Sequence, residues 1–407
     1  MAKVIFFNIP AQGHINPSLP VITELVRRGE QVICVNTAET ESQYAATGAR
    51  FVPTPNTDKL SQLVSQSSGG DIPGNALALV QIAEVIMPFV LDLLQREKPD
   101  YVIYDSLCSW AKQAVEKLGI RAATSLSTFA MTPASLPPFT PVMILDTLRQ
   151  AVPRFPRYWQ TAARMRRNFG VKGVGLFGAV MSTGDFNIVY TSSLFQPGAE
   201  KLGDRFRFVG PSIAERPVAV DFPYEQLTRH PVVYISLGTI NNQNTAFYRQ
   251  CFEAFHDFNG QVILSVGRRT DIAALGDVPE NFIVRGFVPQ LDVLQRSDIF
   301  ITHGGMNSVH EGLYYGVPLV VIPQQVEQAV VARQVVRHGA GIALGDQPPY
   351  GQVSARQLRD AVNHIQSERE TYQAAAAHLG DSFRASGGYI RAAEELIAFG
   401  QGRLSAF

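Results

Sequence analysis

Cysteine is nearly absent from this 407-residue chain, with three residues, Cys34, Cys108 and Cys251, odd in number and far apart. That spacing excludes a cysteine-rich metal site and a disulfide framework, and it fits a reducing compartment. An excess of either charge is also missing, since Lys plus Arg and Asp plus Glu both number 35. No field across the whole protein then favours an anionic polymer, so no nucleic-acid partner is expected. Long apolar runs are lacking too. The longest, around residues 85–94 and 318–323, fall short of the ~20 residues needed to cross a bilayer. The opening run at 4–9 is too short for a signal-peptide core. The expectation is a cytoplasmic protein with no stable membrane insertion. Nor does the chain contain a D-x-D triplet, or His and carboxylates clustered at metal-ligand spacing, so neither a metal nor another cofactor is expected.

What the chain does have is apolar material, 46% of its residues, at a length that usually splits into two domains of about 200 residues. Short apolar runs at 4–9, 31–36, 50–53, 101–104, 121–125 and 187–191 alternate with helical patterns. Alternation of this kind predicts an α/β domain with a parallel sheet covered on both faces. After residue 209, PSIAERPVAVDFP reads as a linker. A second alternating series follows, with runs at 232–236, 261–266, 282–284, 299–302 and 318–322 and a weak one near 341–344. The expected division is a first domain over 1–210, a linker over 211–223 and a second domain over 224–385. A last helix over 386–407 can pack back across the linker on the first domain.

Two passages break the rhythm, 54–74 and 129–184. Insertions at the C-terminal edge of a parallel sheet often shape a substrate pocket, and Phe129, Met131, Phe139 and Met143 give the second an apolar character that ordinary core residues would share. Arg154, Arg157, Arg164, Arg166 and Arg167 form a basic cluster on a helical pattern. Such a cluster reads as a solvated face, a holder for an anionic acceptor, or a surface that touches lipid.

The most informative stretch runs over 287–328, FVPQLDVLQRSDIFITHGGMNSVHEGLYYGVPLVVIPQQVEQ. A strand, an HGG turn, a helix and a second strand make one βαβ unit. The turn frees backbone amides at a helix N-terminus, an arrangement suited to a diphosphate. Asn307 and Ser308 fall in the first helical turn, and Glu311, four residues on, shares a face with Asn307. Taken singly, these residues equally serve a tight turn and a helix cap.

Taken in order, PQ, THGG-x-NS-xx-E, GVP and P-x4-Q closely resemble the donor-binding signature of the family-1 UDP-glycosyltransferases, particularly their bacterial macrolide-type branch. PAQGHINP near the N-terminus and the SLGT loop at 236–239 agree with that family, so the resemblance covers essentially the whole chain. It implies a GT-B fold, two facing Rossmann-like domains with parallel sheets, the acceptor mainly on the first and a UDP-sugar donor mainly on the second. Position by position, Phe287 stands where an aromatic meets the uracil, in place of the plant form's Trp, and Val288 where backbone groups bond the base. Gln290 and Glu311 correspond to ribose contacts. Ser236, Gly238, Thr239, His303, Gly305, Asn307 and Ser308 correspond to the diphosphate cradle, and Glu327 and Gln328 to the pair that reads sugar hydroxyls.

Sugar transfer to a hydroxyl needs a base and a stabilised leaving group. His14, read as lying in a loop after the first strand, has an intrinsic pKa suited to the base. Asp105 ends the run YVIYD, where a parallel sheet brings it to the same edge to orient the imidazole, and the family uses such a dyad. The implied activity is inverting transfer of a hexose, glucose first, to a hydroxyl of an apolar small molecule such as a polyketide, flavonoid or other phenol. A nucleotide-sugar epimerase or hydrolase of the same fold, or a non-catalytic nucleotide-binding relative, are the alternatives.

Overall fold

The computed structural model describes every residue except 56, 57, 59, 61, 64–71, 132–140, 174, 216–220, 239–243 and 405–407. The chain divides into two units, Met1–Ile213 with Ser386–Phe407, and Ala214–Ala385. Part of the linker passage, 216–220, lies outside the described residues.

In the first unit, seven parallel strands, β1 (Lys3–Phe7), β2 (Gln31–Asn36), β3 (Arg50–Pro53), β4 (Tyr101–Asp105), β5 (Ala122–Leu126), β6 (Phe186–Val189) and β7 (Phe206–Phe208), lie in the order β3-β2-β1-β4-β5-β6-β7. Their helices are α1 (Gln12–Arg27), α2 (Glu41–Ala45), α3 (Ile72–Glu97), α4 (Ser109–Leu118), α5 (Pro141–Ala151), α6 (Phe155–Phe169) and α7 (Leu176–Val180). The near-continuous apolar strands follow from burial on both faces. Along β1, Val4 and Phe6 enter a cluster with Ile15, Ile22 and Leu25 of α1, while Ile5 and Phe7 enter one with Ile82, Ile86 and Val90 of α3 and Trp110 of α4.

Three features differ from the reading of the sequence. The first helix starts at Gln12, with Pro17 and Pro20 inside it, so His14 is helical rather than in a loop. Gly13 and the two prolines disguise these turns. The buried face of Ile15, Val21, Ile22 and Leu25 holds them, and Asn8 Nδ2 donates to the His14 carbonyl at 3.2 Å and to Ser18 Oγ at 2.9 Å. Strand β7 is three residues long at the sheet edge, too short to show a period. Helix α3 extends the apolar passage well beyond 85–94. Among the described residues its Pro73–Glu97 portion alone is long and apolar enough to cross a membrane by length and composition. Its apolar side chains serve the core instead, and Glu84 takes a two-pronged bond from Arg164 at 2.5 and 2.8 Å.

In the second unit, β8 (Val232–Ser236), β9 (Gln261–Ser265), β10 (Phe282–Arg285), β11 (Ile299–Thr302), β12 (Leu319–Val321) and β13 (Gly341–Ala343) form a parallel sheet in the order β10-β9-β8-β11-β12-β13. The helices are α8 (Thr245–Phe255), α9 (Gln290–Leu294), α10 (Met306–Tyr314), α11 (Val326–Arg337), α12 (Ala355–Ser367) and α13 (Arg369–Ala385). Local chemistry sets the helix starts: Asn244 accepts from the Phe247 amide at 3.0 Å, and Ser354 and Gln357 form a reciprocal capping box. The last helix, α14 (Gly388–Gly400), packs in the first unit. Its Phe399 stacks on Phe186 with ring centroids 4.8 Å apart, and it lies along α1.

Candidate functional site

Each sheet reverses its strand order once, between β1 and β4 in the first unit and between β8 and β11 in the second. Open parallel sheets bind ligands at the carboxyl ends of such a pair. In the first unit the first turn of α1 delivers His14 and the end of β4 delivers Asp105. His14 Nδ1 lies 2.7 Å from Asp105 Oδ2. The carboxylate is 2% exposed and its Oδ1 accepts the Leu107 amide at 2.8 Å, so its direction is fixed. A carboxylate anion only accepts, so the tautomer that suits this contact carries its proton on Nδ1 and its lone pair on Nε2. Ser127, just beyond β5, places Oγ 2.8 Å from the same Nδ1. Ser127 was not singled out in the sequence; its only signal is its place after a strand adjacent to β4.

In the second unit, Ser236 and Thr302 end β8 and β11 and are register partners, so the loops that follow them lie side by side. Gly238 turns with φ +77°, and its amide donates to Ser236 Oγ at 3.3 Å. Thr239 lies outside the described residues. The His303 ring fits between two glycines: a Cβ on Gly238 would stand 2.5 Å from its Cε1, and one on Gly305 would stand 2.4 Å from its Nε2. Desolvation by burial pushes this imidazole down to about 4, leaving it neutral at pH 7. Its Nδ1 is a buried atom without a hydrogen-bond partner among the described residues. Gly305 stands at the N-cap of α10 and makes no side-chain cap bond, and Asn307 and Ser308 are half-buried in the first turn. Ser236, Gly238, His303, Gly305, Asn307 and Ser308 thus gather around one helix N-terminus, a place suited to an anion.

Glu311, 2% exposed, accepts from Gln290 Nε2 at 2.6 Å, and Gln290 Oε1 accepts from the Tyr234 hydroxyl at 3.1 Å. Tyr234, which the sequence reading did not single out, thus holds Gln290 in place. Val288 is buried, and Phe287 is 40% exposed with the Arg268 guanidinium 4.8 Å from its ring centroid. Gln328 is buried and its Oε1 accepts the Gln324 amide at 2.7 Å, whereas Glu327 is exposed in the first turn of α11. A Cβ on Gly304 would meet the Gln328 carbonyl at 3.2 Å, so the HGG turn and the start of α11 are neighbours. Among the described residues no three His, Cys, Asp or Glu side chains are grouped to hold a metal ion.

Residues 249–398 match the family described as erythromycin biosynthesis protein CIII-like, C-terminal domain. Over 399 residues the chain is 35% identical to the uncharacterised UDP-glucosyltransferase YojK of Bacillus subtilis, spanning 98% of this chain and 97% of that one. The chain belongs to the family-1 glycosyltransferases. It falls in their bacterial macrolide-type branch, and this glycosyltransferase is also 35% identical over 401 residues to the NDP-glycosyltransferase YjiC of Bacillus licheniformis, with 97% of each chain covered. Its fold is that of CalG4, the calicheamicin glycosyltransferase, with a TM-score of 0.80, 26% identity and coverage of 100% and 99%. The glycosyltransferase therefore has the GT-B fold, with a parallel Rossmann-like sheet in each unit.

Proposed function

We propose that this enzyme transfers a hexose, glucose first, from a UDP-sugar to a hydroxyl of an apolar small molecule, with inversion and without a metal ion. The observation that carries the reading is the 2.7 Å bond between His14 Nδ1 and buried Asp105, which leaves Nε2 as the accepting nitrogen. In this mechanism Nε2 takes the acceptor hydroxyl's proton, the oxygen attacks the anomeric carbon, and the bond to the nucleoside diphosphate breaks on the opposite side. Asp105 stabilises the imidazolium as it forms. Charge building on the departing diphosphate falls to the amides at the start of α10, with Asn307, Ser308 and Ser236 beside them. A neutral His303 donates one N–H to the same group. Glu311, held by Gln290, accepts the ribose hydroxyls, Phe287 and Val288 meet the base, and Glu327 and Gln328 read the sugar.

A relative named as a UDP-glucosyltransferase supports UDP and glucose, and one named for calicheamicin supports a natural-product acceptor. Three unpaired, buried cysteines support a reducing, cytoplasmic setting. The test incubates the enzyme with a panel of UDP-sugars and polyketide, flavonoid and simple phenol acceptors, with and without chelator, and weighs the products. Hexosylated acceptor at equal yield in both is expected. Donor cleavage with no acceptor product in any pairing overturns transfer, and turnover abolished by chelator overturns metal independence.

A further inference from the structure

No residue of the basic segment over 141–172 is assigned a role in the proposed transfer reaction. Six arginines and one lysine there stand against a single acid, Asp146. Among the described residues of the first unit, most of the large exposed apolar side chains lie in the same segment: Leu145 is 70% exposed, Leu148 51%, Val152 63% and Trp159 55%. Leu145, Leu148 and Val152 follow at intervals of three and four, which makes one helical stripe. Both α5 and α6 pack on α3, with Tyr158, Ala162 and Met165 of α6 buried, so their exposed faces turn away from it. Arg149 of α5 and Arg157 and Arg167 of α6 are exposed on the same two helices. A core-packing role does not explain four large apolar groups left in water, and a solvated face does not explain why they coincide with the arginines.

We propose that this face docks reversibly on an anionic lipid surface. Trp159 and the two leucines enter the headgroup boundary while Arg149, Arg157 and Arg167 meet the lipid phosphates. Charge complementarity selects that occupant: a second copy of the chain would bring the same arginines against one another.

The test pellets full-length protein with phosphatidylcholine vesicles containing phosphatidylglycerol, and with phosphatidylcholine vesicles alone, in about 0.1 M salt, where surface charges still act over ~10 Å. Binding to the anionic vesicles only, released by added salt, is expected. Arg149→Glu, Arg157→Glu and Arg167→Glu together weaken it at least roughly a hundredfold, at about fivefold per basic residue. Trp159→Ser weakens it separately. Reversal of Lys201, Arg337 and Arg356, exposed cations elsewhere on the chain, leaves it within about twofold, because only charges within roughly a Debye length of the lipid contribute. No pelleting, equal binding to both vesicles, or equal loss in the remote triple variant overturns the proposal. So does a dimer that Trp159→Ser abolishes without any vesicle binding.

Discussion

Replacing Asp105 by Asn tests the base assignment more sharply than removing the side chain. Both carboxylate oxygens face N–H donors, the Leu107 amide at 2.8 Å and His14 Nδ1 at 2.7 Å. An asparagine has one oxygen to offer, so its NH2 must turn toward one of them. The peptide N–H cannot move its proton, whereas the imidazole can, so the oxygen stays with Leu107 and the NH2 turns to His14. The ring then accepts at Nδ1 and carries its proton on Nε2, the nitrogen that the reaction needs bare. The expected loss is that of a general base, 10²–10⁴-fold in kcat, or about 3 to 5 kcal/mol of barrier. Asp105→Ala leaves the tautomer unconstrained and is expected to lose less than the closer isostere. Steady-state product formation gives kcat, and calorimetric titration with UDP is expected to give an unchanged Kd, since no nucleotide contact is assigned to Asp105. An Asn variant above a tenth of wild-type kcat, or more active than the Ala variant, would refute the reasoning.

Other outcomes follow from the second unit. Gly305 has φ −61° and ψ 134°, which alanine adopts freely, yet its Cβ would stand 2.4 Å from His303 Nε2. Gly305→Ala is expected to weaken UDP binding about tenfold or more with little change in fold, comparable to losing a hydrogen bond to a charged group; unaltered affinity counts against a donor role for His303. Glu311→Ala removes the carboxylate that holds Gln290 and is expected to cost about 1.5–3 kcal/mol of donor binding, read as a shift in Kd. Burial lowers His303 to about 4 and His310 to about 3, from an ordinary 6.5. Between pH 6.5 and about 4 the unfolded chain therefore binds protons that the folded chain refuses. Stability present above pH 6.5 is lost as pH falls through that window, starting before ordinary carboxylates titrate. Urea midpoints measured from pH 7.5 to 4.5 should decline below 6.5, and His310→Gln should flatten the decline; a flat wild-type curve would show the buried imidazoles to be protonated in the fold.

Strand runs such as VIFF, VICV and IFIT were legible because a sheet buried on both faces writes continuous apolar letters. The HGG turn was legible because glycines interrupt that writing between a strand and a helix. Asp105 could be placed at the end of its strand for the same reason. The beginning of α1 was not legible: Gly13, Pro17 and Pro20 speak locally for a loop, and the side chain that ties this turn, Asn8, belongs to the preceding strand's exit. Ser127 and Tyr234 reach His14 and Gln290 from strands far off in sequence, at separations of 113 and 56 residues. No local spacing could announce them. The bond of Gln328 to the Gln324 amide likewise depends on a bend that the residue types do not impose.

The return of α14 to the first unit has a consequence for how the chain can be cut or recombined. Residues 214–385 are in effect an insertion within a longer module whose two pieces are separated by the whole of the second unit. Phe399 fills the space between Phe186 and Tyr101, and a Cβ on Gly400 would stand 2.4 Å from the Tyr101 ring, so the final segment closes that core. A chimera that exchanges first halves at the linker alone would join one parent's sheet to another parent's closing helix. Swaps of the first unit therefore need two junctions, and a truncation within α14 acts on the unit that holds β1 to β7.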